Sequence, residues 1–160
     1  MTEIKIKYFE KHNELKLKKI ECGDWIDLKA NHVVVNGEKI KWDENNEVFY
    51  NKFDNVFIET GVAMQLPSGY EAHIAPRGST FKKFGLIQVN HVGVVDESYC
   101  GDNDQWFIPM FCLKANNKIQ RFDRVCQFRI MEKMDENIKF VEVDKLVNED
   151  RNGFGSTGYK

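Results

Sequence analysis

Two short segments carry side chains that could bind a phosphate group or activate a water molecule. In the first, Arg77, Gly78 and Ser79 precede a possible helical turn, where guanidinium, backbone amide and hydroxyl groups can meet an anion. In the second, Asp96 follows an apolar pair at the end of a predicted strand, with Tyr99 three residues later. Burial at a strand end would raise the pKa of Asp96 and suit it to act as a base. Alone, each segment is also compatible with an ordinary helix start or turn.

The end of the chain is rich in glycine and holds a third set of such groups. Arg151 offers a planar fork of donors, Gly155 lets the backbone approach an anion, and Ser156 and Thr157 add hydroxyl groups. Phe154 is an isolated aromatic residue that could stack on a ring. The same composition is typical of a mobile tail, so both interpretations stay open at this point.

Other polar residues are weaker candidates. Asp27 and Gln127 lie within apolar strand sequences, so each needs a partner, which either the fold or a site could supply. The four cysteines include no Cys-x-x-Cys pair and no nearby histidine, so they do not predict a zinc site and are interpreted as free thiols. The lysines among the first twenty residues are interpreted as the solvated face of a strand.

Composition limits the classes of protein to which the chain can belong. Its 160 residues are 42% hydrophobic and 12% aromatic, which predicts one globular domain. The formal net charge of −2 does not favour general binding to nucleic acid. The longest apolar run, residues 106–113, is too short for a membrane helix, and the first residues do not form a secretion signal. We therefore expect a cytoplasmic protein that binds neither membrane nor nucleic acid.

Hydrophobic periodicity predicts an all-β fold. Apolar and polar residues alternate over residues 4–8, 15–18 and 139–143, as in strands with one solvated face. Short β-branched and aromatic runs separated by Gly, Asn or Asp bring the total to about ten short strands, in a sandwich or jelly roll. One short helix is predicted at residues 79–84, with a hydroxyl cap at Ser79 and a stop at Gly85.

The chain is divided on the same grounds into a β-rich core and a terminal arm. Residues 1–147 form the core and residues 148–160 the Gly-rich arm. Residues 36–55 are expected to include an extra hairpin.

Taken together and in order, five segments resemble the five motifs of the trimeric dUTPase family. Five motifs in the right order are far more specific than any one of them, and they extend over nearly the whole chain. The segments are residues 26–30, 76–79, 90–101, 123–127 and 151–158.

The resemblance implies a fold, an assembly and a reaction. The fold would be a jelly roll with a C-terminal arm, assembled as a homotrimer in which each active site is built from three chains and the arm closes over a neighbouring subunit's site. The reaction would be hydrolysis of dUTP to dUMP and pyrophosphate with Mg2+, which keeps uracil out of DNA and supplies dUMP for dTTP synthesis.

It also implies roles for residues on the nucleoside side of the site. Asp96 would be the general base for the water that attacks the α-phosphorus. Tyr99 would lie against the deoxyribose and exclude a 2′-hydroxyl, and Asn90 would bind the uracil edge. Phe154 would cover the uracil.

The phosphate side is assigned in the same way. Arg77, Gly78 and Ser79 would bind phosphates, while Asp27 and Gln127 would hold waters of the Mg2+ shell. Arg124 is interpreted as structural support. The arm residues that would clamp the γ-phosphate and close over the chain of phosphates are Arg151, Gly155, Ser156 and Thr157.

The chain departs from the family pattern in three ways. Gly78 stands where the family usually has Ser, so a hydroxyl contact to phosphate is lost or moves to Ser79. Asp24 and Trp25 stand where Ala-Gly is usual, and residues 36–55 exceed the common length.

Two other functions stay open. One is a dCTP deaminase, which shares the fold. The other is a regulatory module whose nucleotide pocket controls a protein partner, as in some phage members of the family.

Overall fold

The computed structural model describes residues 3–150, and this part of the chain is almost entirely β-structure. It has thirteen strands, one five-residue α-helix and a single 3₁₀ turn at Asn13–Leu15. The all-β fold is therefore confirmed, with more strands than the ten or so predicted. The elements are β1 (Lys5–Tyr8), β2 (Ile26–Lys29), β3 (His32–Val35), β4 (Glu38–Ile40), β5 (Glu47–Tyr50), β6 (Asn55–Glu59), β7 (Val62–Gln65), β8 (Tyr70–Pro76), α1 (Thr80–Phe84), β9 (Leu86–Gln88), β10 (Gly93–Val95), β11 (Phe107–Cys112), β12 (Asn117–Gln120) and β13 (Arg124–Glu132).

Two larger sheets and two small ribbons organise these strands. The four-stranded sheet has the order β10-β8-β13-β2 and the five-stranded sheet the order β4-β3-β6-β11-β9. The ribbons are β1-β7 and β12-β5. Every pair is antiparallel, so each strand can present one face to the core and the other to solvent.

The core lies between the two larger sheets. Leu28 and Ile74 come from the four-stranded sheet and Ile58 from the five-stranded sheet, and all three belong to one buried cluster. The rings of Trp106 and Phe128 meet edge to face there, with centroids 5.1 Å apart. Each such side chain contributes about 1.5–3 kcal/mol when fully buried, so this cluster fixes the positions of β2, β8 and β13.

Residues 36–55 hold β4, β5 and the first residue of β6. Asn36 and Gly37, both at positive φ, form the two-residue turn of a β3–β4 hairpin, in which Val35 pairs with Glu38. The strand β5 pairs with β12, far along the chain. That this segment carries a hairpin in addition to the usual family fold stays a prediction.

Two predicted strands do not form in the described part of the chain. Residues 15–18 begin at the last residue of the 3₁₀ turn and form no strand ladder, although Leu15 is buried as the alternation requires. Residues 139–143 also have no strand partner, and Phe140 is 96% exposed. Alternation creates an apolar face, but a strand also needs a neighbour to bond its backbone.

The helix α1 ends as predicted but begins differently. Gly85 adopts a left-handed conformation with φ of 67°, which closes the helix. Ser79 makes no capping bond with its side chain, so the predicted hydroxyl cap there is wrong. The next residue supplies a hydroxyl instead: Thr80 accepts a hydrogen bond from the Arg77 backbone N–H and donates one to the Val125 carbonyl.

Candidate active site

Asp27 and Gln127 lie side by side on the outer face of the four-stranded sheet. They are register partners across β2 and β13, whereas the neighbouring Leu28 and Phe128 point into the core. Directly opposed residues of antiparallel strands share a face, so the Asp27 carboxylate and the Gln127 amide project together towards solvent. Gln127 Nε2 also donates to the Pro76 carbonyl at 3.4 Å, which ties it to the end of β8.

Two arginines hold Asp27. Arg77 Nε lies 2.7 Å from one carboxylate oxygen and Arg124 Nη1 lies 3.1 Å from the other. Arg77 reaches Asp27 from the end of β8, and Arg124 from the first position of β13. The sheet thus brings together one carboxylate and two guanidinium groups, and we call these three residues the arginine cluster.

A β-bulge places Arg124. The pairing of β13 with β2 shifts in register between Arg124 and Cys126, so Val125 is the extra residue. The carbonyl of Val125 is bonded by the Thr80 hydroxyl at 2.7 Å, which joins the bulge to the start of α1. Thr80 is buried and was not identified from the sequence. A hydroxyl residue three positions after Arg77 is the sequence feature that could have pointed to it.

Gly78 and Ser79 complete the loop that follows Arg77. Both are exposed, and an added Cβ at Gly78 would meet no atom within 4 Å. The Ser79 hydroxyl makes no capping hydrogen bond to a backbone amide of α1. The predicted phosphate-binding residues of this loop therefore lie next to the arginine cluster.

Asp96 lies in a tight turn directly after β10. Its side-chain oxygen accepts hydrogen bonds from the Ser98 hydroxyl and from the Ser98 backbone N–H at 2.7 Å. Its carbonyl accepts a bond from the Tyr99 N–H at 3.2 Å, which closes the turn. The Asp-x-Ser-Tyr sequence thus determines this turn locally, because a short carboxylate can bond the backbone two residues later.

The environment of Asp96 contradicts one expectation. The side chain is exposed, and the bonds from the Ser98 hydroxyl and then the Ser98 N–H lower the pKa of Asp96 below its ordinary value. Burial had been predicted to raise it. A lowered pKa keeps this carboxylate ionised at neutral pH, which is the form that can accept a proton.

Asp96 and Tyr99 line one pocket of about 270 Å³. The Tyr99 hydroxyl donates to the Gln105 carbonyl at 3.0 Å, which fixes the ring against the pocket wall. From the sequence, the apolar run that begins at Trp106 was predicted only as a strand, so the contribution of Trp106 and Phe107 to the lining of this pocket was missed. The lining residues are Val94, Val95, Asp96, Tyr99, Gln105, Trp106 and Phe107.

Asn90 lies at the other end of β10 from Asp96. It belongs to the turn between β9 and β10 and is exposed. Gly93 lies between them with its backbone against Ile74, where an added Cβ would come within 3.2 Å of that side chain. Asn90 and Asp96 thus flank β10 at opposite ends, and Asn90 does not line the Asp96 pocket.

The arginine cluster and the Asp96 pocket do not meet within one chain. Asp27 is on β2 and Asp96 follows β10, at opposite edges of the β10-β8-β13-β2 sheet. Three strand spacings separate those edges, a distance of about 14 Å. The predicted arm residues Arg151, Phe154, Gly155, Ser156 and Thr157 lie outside the described residues.

The oxygen donors beside the arginine cluster suit a hard cation held through water. Within residues 3–150, no group of three or more His, Cys, Asp or Glu side chains could ligate a metal directly. Asp27 and Gln127 offer carboxylate and amide oxygens on a solvated face, which Mg2+ accepts in its outer shell. In the same part of the chain, no helix has the length and apolar content to cross a membrane.

Comparisons with known proteins agree in one family. The family model described as dUTPase matches residues 42–158. The SPbeta prophage-derived deoxyuridine 5'-triphosphate nucleotidohydrolase YosS of Bacillus subtilis strain 168 is 50% identical over 158 residues, covering 99% of each chain. The deoxyuridine 5'-triphosphate nucleotidohydrolase of Finegoldia magna is 38% identical over 117 residues, covering 71% of this chain and 78% of its own.

Solved structures show the same fold at lower identity. The dUTPase of Staphylococcus bacteriophage 80alpha, solved with dUPNHPP, is 16% identical and superposes with a TM-score of 0.71 over 99% of each chain. The dUTPase of Streptococcus mutans is 20% identical with a TM-score of 0.64, covering 89% of this chain and 98% of its own. Since a relative matches end to end at half identity and the family model matches most of the sequence, this chain belongs to the dUTPase family.

Proposed function

We propose that this protein hydrolyses dUTP to dUMP and pyrophosphate. The observation that carries the proposal is the ionised, solvent-facing Asp96 in the same pocket as Tyr99. The names of the relatives, which describe deoxyuridine 5'-triphosphate nucleotidohydrolases, favour the same substrate. In the cell this activity would keep uracil out of DNA and supply dUMP for dTTP synthesis.

Asp96 acts as the general base in this proposal. It accepts a proton from the water that attacks the α-phosphorus, and Ser98 holds its carboxylate in one orientation during the transfer. Tyr99, fixed by its bond to Gln105, lies against the deoxyribose and leaves no room for a 2′-hydroxyl. Asn90 and the adjoining backbone bind the uracil edge.

The arginine cluster handles the phosphates. Arg77 neutralises phosphate charge, with Gly78 and Ser79 donating from the loop beside it. Asp27 and Gln127 would hold Mg2+ through water, and the ion, when bound, supplies charge neutralisation on the triphosphate. Chelation by EDTA should therefore lower activity without unfolding the protein.

The site is completed by other copies of the chain. Support comes from the separation of about 14 Å between the arginine cluster and Asp96 in one chain. The exposed apolar residues after β13, among them Phe140 and Val147, also favour assembly. We propose a homotrimer in which residues 148–160 close over a neighbour's site, with Arg151, Gly155, Ser156 and Thr157 on the phosphates and Phe154 on the uracil.

A pyrophosphate-release assay across dUTP, UTP, dTTP and dCTP tests the reaction. We expect rapid release from dUTP alone, in the presence of Mg2+. Ammonia released from dCTP would instead identify a deaminase, and dUTP binding without turnover would favour a regulatory module acting on a protein partner. Either outcome would refute the proposed hydrolysis.

Mixing two impaired variants tests the shared site. Asp27→Asn and Asp96→Asn damage different parts of it, so mixed trimers should contain some sites with both aspartates intact and be more active than the average of the two variants alone. The control is a mixture of the Asp27→Asn/Asp96→Asn double variant with either single variant, which can form no site with both aspartates intact. If mixing the two single variants by denaturation and refolding gives no more than their average activity, each site is built within one chain.

The expected location is the cytoplasm. The four cysteines, which all lie in the described part of the chain, are free, as in a reducing compartment. Cys22 and Cys100 are exposed, and Cys112 and Cys126 are buried.

A further inference from the structure

The segment between the 3₁₀ turn and β2 presents two lysines to one side. Leu15 is 1% exposed, and Leu17 packs against the core while its N–H donates to the Tyr8 hydroxyl at 3.0 Å. Because these leucines alternate with Lys16 and Lys18, both lysines must project away from the core. The alternation of leucine and lysine forms no strand here, but it still places the charges of Lys16 and Lys18 on the solvent side.

The two lysines converge on a pocket beside the arginine cluster. The pocket has a volume of about 180 Å³, which is the share of roughly six water molecules in the liquid. Lys29 reaches it because β2 points Asp27 and Lys29 to the same outer face. The lining residues are Lys16, Lys18, Ile20, Asp27, Lys29 and Arg124.

Positive charge dominates this pocket. Four of its lining side chains are cationic and one is anionic, and that one, Asp27, is already paired with Arg77 and Arg124. Within residues 3–150, neither Lys16 nor Lys18 pairs with a carboxylate. Partial burial, together with the charges of Lys18 and Arg124, lowers the pKa of Lys29. The cations therefore repel one another until an anion enters.

The Lys29 ammonium is held in place at the pocket wall. It donates to the backbone carbonyl of Glu14, within the 3₁₀ turn. That turn is anchored by Leu15 and, just before it, by Glu10, whose carboxylate lies 2.5 Å from Arg121 Nη2. Lys29 is thus held at the pocket wall by a backbone group, which distinguishes it from a freely moving surface lysine.

We propose that Lys16, Lys18 and Lys29 form an anion subsite that binds the terminal diphosphate of the nucleotide and the pyrophosphate left after cleavage. The assignment rests on the proposed function, since it takes the phosphate chain to run from the arginine cluster into this pocket. A diphosphate carries several negative charges and no apolar surface, and it matches the size and charge of the pocket.

Calorimetry with inorganic pyrophosphate and Mg2+ tests the subsite. The Lys16→Ala/Lys18→Ala variant should bind pyrophosphate about tenfold more weakly, because two cations that contact the ligand are lost. The matched control, Lys11→Ala/Lys19→Ala, removes the same charge at two exposed lysines that flank the same part of the chain and do not line the pocket. It should change pyrophosphate binding less than twofold.

Binding of dUMP separates the subsite from the rest of the active site. Because dUMP has no terminal diphosphate, its affinity should be the same in both variants and in the unmodified protein. Unchanged pyrophosphate binding in Lys16→Ala/Lys18→Ala, or equal weakening in the control, would overturn the subsite. If the unmodified protein failed to cleave dUTP, the proposed function would fail, while the pyrophosphate measurements would still decide the subsite.

Discussion

Asp27 and Asp96 are both aspartates, but the two regions that hold them provide different hydrogen-bond partners. Asp27 lies on a sheet face with two guanidinium groups within 3.1 Å of its oxygens. Asp96 lies in an exposed turn and is held by the hydroxyl and N–H of one serine. Both oxygens of Asp27 are thus already paired with cations, whereas Asp96 is held by neutral donors in an exposed turn that water can reach.

The two aspartates differ in both exposure and hydrogen-bond partners. The Asp27 side chain is 21% exposed and pairs with two arginines, whereas Asp96 is exposed and bonds to Ser98. In the proposed function, the arginine cluster binds phosphate and the Asp96 turn holds the base. Each of the following changes alters one side of this comparison and leaves the other intact.

The largest effect is expected for Asp96→Asn. Replacing the carboxylate with an amide removes the proton acceptor, so kcat should fall by about 100-fold or more while nucleotide binding stays close to normal. Pyrophosphate release and calorimetric titration with a non-hydrolysable dUTP analogue measure the two quantities. Asp102→Asn is the control, since this aspartate lies in the same loop region with 92% of its side chain exposed. Equal loss in both variants would remove Asp96 from its role.

A smaller loss is expected for Asp27→Asn. Arg77 and Arg124 lose their shared partner. We expect kcat/KM to fall about tenfold, because the side chains that bind phosphate and the waters around Mg2+ are no longer held in position. The free energy of unfolding should fall by about 1 kcal/mol, since the pairs are only partly buried.

Asp24→Asn is the matched control for that variant. Asp24 also pairs with an arginine, Arg129, at 3.4 Å, but its side chain is 70% exposed. Urea denaturation and steady-state kinetics should show almost no change for it. If the two variants behave alike, the arginine cluster has no special function.

The pH dependence of activity tests the Asp96 turn. Ser98→Ala removes the hydroxyl that contributes most to lowering the pKa of Asp96, so this pKa should rise towards its ordinary value. A higher pKa means that the base becomes protonated at a higher pH, so the acid limb of the kcat/KM profile should move up. Ser98→Thr keeps a hydroxyl and should restore the original limb. An acid limb that does not move in Ser98→Ala would separate Ser98 from the base.

The smallest effect is expected for Gly78→Ser. The substitution gives the loop the hydroxyl that is usual in the family, and one added hydrogen bond to phosphate should raise kcat about two- to fivefold. The site tolerates it, because an added Cβ meets no atom within 4 Å. Gly78→Ala adds the same Cβ without the hydroxyl and should leave kcat unchanged, and a rate gain in both variants would refute the hydroxyl contact.

Much of the fold followed from local pattern, and the exceptions share one cause. The Asn36-Gly37 turn and the Gly85 helix stop were predictable because each depends on the backbone preference of one or two residues. Residues 139–143 have the right alternation for a strand, yet no neighbouring strand in the described chain bonds to them. Strand pairing depends on a second segment that is distant in sequence, so it cannot be predicted from the alternation within one segment.

The site divides in the same way. Asp27, Arg77, Asp96 and Tyr99 could be singled out as candidates from the sequence, because they lie in ordered motifs that resemble those of one family. The pairing of Asp27 with Arg124, 97 positions away, could not be read from either motif, and neither could the convergence of Lys16 and Lys18 on Lys29. The direction of the Asp96 pKa was predicted wrongly, because exposure of the turn was assumed to be low.

The sequence by itself therefore determined the β-rich class and several turns, and it singled out the candidate reactive groups. These depend on residue type and on spacing within a few positions, which the chain states directly. Only the tertiary structure decided which charges neutralise one another, which carboxylate is paired with arginines and which is open to solvent, and where the lysines gather. Those properties depend on distances between segments that are far apart in the chain, and electrostatic interactions follow distance in space.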